Sequence, residues 1–136
     1  MTRKLIAVSP TDTMSEVKAI FDQHRIHHIP VVRYKKLVGI ISKSDLQHFL
    51  RGVLTSEHDQ QVEKSRLETY TAEDVMTTGV ATLSSTDRIN VALQLFLENI
   101  FHAIPIVDDD ELVGMLTTFD IIKALSDEDN ARIKGA

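Results

Sequence analysis

The hydrophobic positions of this chain follow two periods. Met14, Val17, Ile20 and Phe21 recur at helical spacing. They predict an amphipathic helix that starts at Asp12, or at a Thr13–Glu16 capping box, and ends near His24. Ile29-Pro30-Val31-Val32 and Leu37-Val38-Gly39-Ile40-Ile41 are apolar nearly throughout, as in strands covered on both faces. The short charged turn between them, Arg33-Tyr34-Lys35-Lys36, predicts an antiparallel hairpin. Leu5 to Val8 reads as a short leading strand and Asp45 to Leu50 as a closing helix.

The same order then returns. Residues 6–50 align without a gap onto residues 81–125, with 13 of 45 positions identical. Val80 to Leu83 is the second leading strand. The helix from Thr86-Asp87 is expected to bury Ile89, Ala92, Leu93 and Phe96 and to end near Asn99. Ile104 to Val107 and Leu112 to Leu116 form the second hairpin, and Asp120 to Leu125 closes the repeat. The expected fold class is therefore α/β of the α+β type, built from two β-α-β-β-α repeats. A unit of roughly 50 residues is marginal alone, so the copies should pack face to face. The expected division is 1–50 for repeat one, 51–70 for a polar linker with a helical stretch at Val62 to Leu67, 71–125 for repeat two, and 126–136 for a frayed polar tail. Thr71 to Met76 reads as a capped helical turn. Met76-Thr77 repeats Met1-Thr2, so repeat one lacks a counterpart of residues 71–75, and a few further N-terminal residues are expected in the natural protein.

Composition narrows the function classes. With no cysteine there is no disulfide framework and no zinc-thiolate site. No apolar run approaches the roughly 18 residues of a membrane span, and no signal peptide is evident, so a cytoplasmic location is expected. The net charge of −5 argues against nucleic acid as the main partner. That charge is uneven: residues 1–50 carry +4 and residues 76–125 carry −5. Arg33-Tyr34-Lys35-Lys36 and Asp108-Asp109-Asp110-Glu111 occupy equivalent turns.

The candidate chemistry lies in Gly39-Ile40-Ile41-Ser42-Lys43-Ser44-Asp45 and its echo Gly114-Met115-Leu116-Thr117-Thr118-Phe119-Asp120. Each reads as a strand running into a helix, with a hydroxyl and a carboxylate emerging together at a sheet edge. A carboxylate can accept two hydrogen bonds at once, which suits a vicinal diol such as a ribose. A plain structural account competes: Ser42 or Ser44 as helix N-cap, with Asp45 placed for the helix dipole.

Together these segments resemble a tandem pair of cystathionine β-synthase (CBS) domains, or Bateman module. The resemblance rests on the two Gly-x-x-Ser/Thr-x-x-Asp stretches, on Ile29-Pro30-Val31-Val32 and Ile104-Pro105-Ile106-Val107, and on Asp74-Val75-Met76-Thr77. It implies repeats related by a pseudo-twofold axis, with clefts between them for AMP, ADP, ATP or S-adenosylmethionine. It implies that Asp45 and Asp120 hold ribose hydroxyls and that Ser42 and Thr117 lie near ribose or phosphate. Backbone near Ile6 and Ala81 would meet adenine. His27 and His102 stand where the family often has His or Arg facing phosphate. At the next position, often Arg in phosphate-binding members, this chain has His28 and Ala103, which weakens the phosphate expectation in the second copy. Histidine gains charge as pH falls, so its pull on phosphate should strengthen there. Lys43 and Ser44 are further phosphate candidates, and Thr118 completes the ligand-binding set. The structural alternative for His27 and His102 is a local hydrogen bond. His24, His27 and His28 lack the spacing of a standard zinc motif.

No nucleophile–base pair, glycine-rich phosphate loop or metal constellation stands out. The expected function is a non-enzymatic regulatory module with an adenine nucleotide as ligand and no required cofactor. The alternatives are a structural module with degenerate clefts, or the regulatory part of a larger enzyme or transporter. Bateman modules often pair, so a homodimer is expected. The +4 and −5 repeats would suit a head-to-tail, salt-sensitive arrangement.

Overall fold

A computed structural model describes residues 5–51, 59–99 and 102–135. The chain divides into two compact units, an N-terminal one over Ile6–Val80 and a C-terminal one from Ala81 onward.

In the N-terminal unit, helix α1 spans Met14–Gln23. Thr13 caps it, its Oγ1 accepting the Glu16 N–H at 3.3 Å. Asp12 does other work, accepting the Ser9 N–H at 2.8 Å. Met14, Val17 and Phe21 are buried as their spacing requires. Strands β1 (His28–Arg33) and β2 (Lys36–Ser42) form the expected hairpin. Its two-residue turn holds Tyr34 and Lys35 at φ 51° and 68°, the geometry that matches right-handed strand twist. Between Val31 and Val32 the register shifts, so Val38 is an extra residue on β2. Helix α2 covers Lys43–Arg51.

The leading strand is corrected. Val8 makes a single parallel bridge to Val31, with Val8 N–H on the Pro30 carbonyl and Val32 N–H on the Val8 carbonyl. The next rung of a parallel ladder would need a Pro30 N–H aimed at the Ile6 carbonyl, and proline has none. The C-terminal unit repeats this: Leu83 bridges Ile106, and Pro105 ends the ladder before Ala81.

Helix α3 (Asp59–Thr69) extends beyond the predicted stretch and packs along α1. It has no apolar face. Leu67 is buried, and the Arg66 guanidinium lies 4.6 Å from the Phe49 ring centre and 5.3 Å from that of Tyr70. Helix α4 (Ala72–Val75) follows, with the Thr71 N–H on the Asp74 carboxylate at 2.9 Å. The sequence pattern assigns residues 71–77 to the opening of repeat two, yet backbone bonds tie them to the N-terminal unit. Ala72 N–H donates to the Asp12 carbonyl, Glu73 N–H to that of Pro10, and Ile40 and Thr77 exchange a pair of bonds at 3.0 and 2.8 Å. Arg33 adds an exposed ion pair to Glu73 at 3.9 Å.

In the C-terminal unit, α5 spans Ile89–Asn99, starting two residues after the expected Asp87. Asp87 instead accepts the Ser84 N–H at 2.8 Å. Strands β3 (Ala103–Asp108) and β4 (Glu111–Thr117) reproduce the hairpin, its register shift, and a turn with Asp109 and Asp110 at φ 51° and 67°. The acidic turn is tied down as well as solvated: Asp108 Oδ1 accepts the Ser85 N–H at 2.9 Å. Helix α6 runs Thr118–Gly135, so the polar tail continues the helix rather than fraying at Leu125.

The C-terminal core comprises Leu83, Ala92, Ile104, Ile106 and Leu116, with Leu95, Phe96 and Ile121 packed against it. Two expected members of α5 stand outside: Ile89 and Leu93 are exposed. Among the described residues, no helix packs over α5 as α3 packs over α1. Among them, no helix is long and apolar enough to cross a membrane.

Candidate functional site

Hairpin topology brings the scattered candidates of each repeat to one end of its strands. β1 and β2 are antiparallel, with His28 opposite Ser42. The segment through Val8 runs parallel to β1, so Ile6 lies toward that same end. The Lys43 N–H donates to the His27 carbonyl at 2.8 Å, fastening the start of α2 to the residue before β1. Ile6, His27, His28, Ser42, Lys43, Ser44 and Asp45 therefore gather at a single edge. The second repeat assembles Ala81, His102, Thr117, Thr118 and Asp120 by the same rules. Ala103 pairs with Thr117, and the Thr118 N–H donates to the His102 carbonyl at 3.1 Å.

The Ser/Thr-x-x-Asp spacing has an immediate structural cause. Ser42 N–H donates to Asp45 Oδ2 at 2.9 Å, and Asp45 N–H donates to Ser42 Oγ at 3.0 Å. This is a reciprocal capping box, with aspartate in place of the usual glutamate. Thr117 and Asp120 repeat it at 3.0 and 3.1 Å. The capping account is thus realised in both copies, with Ser42 as the cap and Ser44 exposed in the first turn. Both aspartates are half-buried and use Oδ2 for the cap. Among the described residues the Oδ1 atoms of Asp45 and Asp120 have no hydrogen-bond partner, so each carboxylate keeps acceptor capacity at the edge.

Gly39 answers a different demand. A Cβ there would lie 2.6 Å from Met76 Sδ and 2.9 Å from the Thr77 carbonyl oxygen. Glycine is required because the segment entering repeat two crosses the strand at this point.

Sequence reasoning missed the part played by Pro30 and Pro105. Both are fully buried, and each withholds the donor that would have occupied the carbonyl of Ile6 or Ala81. The signal was present as a proline inside a strand pattern.

The two edges differ in charge. Around the first stand His27, His28 and Lys43; their counterparts are His102, Ala103 and Thr118. Phe119, exposed, takes the place of Ser44. A groove of about 350 Å³ between α1 and α3 is a separate feature, lined by Lys18, Asp22, Glu63, Lys64 and Glu68 among others. None of the candidate residues lines it, and its mixed charges favour no ion.

Comparison with known sequences settles the family. The CBS domain signature matches residues 1–52 and 72–127. The chain belongs to the CBS domain family. It is similar to the CBS domain-containing protein YhcV of Bacillus subtilis, 27% identical over 129 residues, covering 94% of this chain and 84% of that one. It is also 32% identical over 123 residues to inosine-5'-monophosphate dehydrogenase of Methanocaldococcus jannaschii, covering 89% of this chain and 22% of the enzyme. Several matching relatives are much longer: the chain spans 47%, 22% and 37% of the length of three of them. Among solved structures, CBSX2 of Arabidopsis thaliana in complex with AMP matches with a TM-score of 0.77 and 26% identity, over 95% of this chain and 94% of that one.

Proposed function

We propose that this chain is a non-enzymatic regulatory module of the cytoplasm that binds an adenosine-containing nucleotide and acts as a homodimer. The observation that carries the reading is the convergence, at one edge of a repeat, of a half-buried aspartate with a spare oxygen and a backbone carbonyl whose ladder donor is missing. A ribose diol can donate to the first and an adenine amino group to the second. The binding of AMP by CBSX2, a relative of similar length, supports the same ligand class. The first repeat is the better phosphate site, because His27, His28 and Lys43 are cationic or can become so, whereas the second edge offers His102 alone. Regulation would follow from different affinities for two arrangements of the chain or its assembly.

A second reading has its own support: the capping boxes account for Ser42, Asp45, Thr117 and Asp120 without any ligand. Titration calorimetry with AMP, ADP, ATP and S-adenosylmethionine separates the two, using the wild type, Asp45→Asn and Asp120→Asn. Asparagine keeps an oxygen for the cap while removing the charge that a diol would use. The nucleotide reading expects saturable binding, weakened about tenfold or more by Asp45→Asn, as for a lost hydrogen bond to a charged group. Absence of binding to all four compounds would leave a structural module.

A further inference from the structure

Helix α3 is attached to the N-terminal unit by few side chains. Among its described residues Leu67 alone is buried, and its other aliphatic residue, Val62, is exposed. Arg66 is half-buried against Phe49 and Tyr70, whose rings meet edge to face with centres 5.6 Å apart. The seam with α1 is incompletely filled, since the groove of about 350 Å³ lies along it. An isolated helix shorter than about 12 residues is marginal in water, and α3 has 11. It is helical because it is docked, so leaving its seat means melting. Its C-terminal end stays tethered in either state. The Tyr70 carbonyl accepts the Met14 N–H at 2.8 Å, and Ala72, Glu73 and Thr77 are bonded to the same unit.

The aromatic seat belongs to the helix that carries the first candidate edge. Helix α2 has nine residues. Asp45 lies in its first turn, and Phe49 follows four residues later on the same side. Both are half-buried. The start of α2 is fixed by the Ser42–Asp45 capping box and by the Lys43 bond to the His27 carbonyl, while Phe49 in its last turn meets Arg66. In the second repeat the residue 75 positions after Phe49 is Ala124, so the architecture of the repeat does not demand an aromatic there.

We propose that α3 is a strap that reports ligand at the first edge: it stays docked while Asp45 is engaged and melts more often when that edge is free. This rests on the nucleotide reading above and names the element that the ligand regulates. A nucleotide on Asp45 and a docked α3 each restrain one end of the same short helix. Whichever comes first removes freedom that the other would otherwise have to remove, so the two events are cooperative. Linkage then requires an equal effect in both directions. The output is an order–disorder change in a segment that lies between the two repeats along the chain.

Hydrogen exchange of the full chain, with AMP as the probe, tests the strap. Without AMP, the amides of Glu63 to Thr69 should exchange faster than those of α1, as in local opening. Saturating AMP should slow them about fivefold or more. At the same AMP concentration Asp45→Asn should abolish that slowing and Asp120→Asn should keep it. A double variant, Arg66→Ala with Leu67→Asp, unseats α3. It should bind AMP more weakly by the same factor, with its strand amides as protected as in the wild type. Failure of AMP to bind the wild type would overturn the nucleotide reading and this one together. Binding that leaves α3 exchange unchanged would overturn the strap alone, and so would α3 amides as slow as those of α1 before AMP is added. Unchanged AMP affinity in a folded double variant would reduce α3 to a structural cover. The wild-type exchange decides the question even where the double variant does not fold.

Discussion

The two repeats share a backbone down to its irregularities and differ in almost everything that faces outward. Both have the bridge cut short by a buried proline, the bulge at the fourth hairpin pair, the left-handed two-residue turn and the aspartate capping box. Yet one is basic at its turn and candidate site and is covered by a polar helix, whereas the other is acidic and bares apolar helix faces. Features that build the repeat recur because backbone geometry demands them. Features that choose a ligand or a partner are free to diverge, and here the first copy carries the cationic side chains at its edge while the second exposes apolar ones.

The largest expected effect tests whether residues 71–77 structurally belong with the N-terminal unit. Gly39→Ala places a methyl group against the Thr77 carbonyl, which is backbone and cannot swing aside. Overpacking of this kind should cost about 1–3 kcal/mol. Urea denaturation would register the loss, and faster hydrogen exchange at the Thr77 N–H would locate it at the Ile40–Thr77 bridge. If Thr77 exchange stays unchanged, the segment is not held as described.

A smaller effect probes the helix that only the N-terminal unit wears. Arg66→Ala removes the guanidinium stacked near Phe49 and Tyr70 and should destabilise by about 1 kcal/mol. Limited trypsin digestion should then cut sooner at Lys64. Retention of wild-type stability would mean that Leu67 alone seats α3.

The smallest effect compares the turns. Non-glycine residues at positive φ pay a steric cost, which aspartate tolerates better than lysine. Lys35→Gly should therefore raise stability by about 0.5 kcal/mol, and Asp110→Gly by less. Equal thermal shifts for the two variants would show that the turns are equally strained.

Much of this was legible in the chain itself. Element order, the hairpins, the Thr13 cap and the two edges, one with Ser42 and Asp45 and the other with Thr117 and Asp120, follow from periodicity and a repeat with no gap, because local patterns set local structure. α3 was less so: a helix held by one leucine and a stacked arginine leaves no apolar period to read. The exposure of Ile89 and Leu93 was invisible for a related reason. Periodicity says which side of a helix is apolar, but burial depends on what stands opposite.

What the sequence determined alone is therefore the repeat, its secondary structure and the residues that converge at each edge. What only the tertiary structure decided is which chain segments cover which faces. The opening of the second repeat is bonded to the first unit, Gly39 is glycine because of a connecting segment that arrives from 37 residues away, and an outward face of α5 is left apolar. Those outcomes depend on contacts between residues distant in the chain, for which a local pattern carries no record.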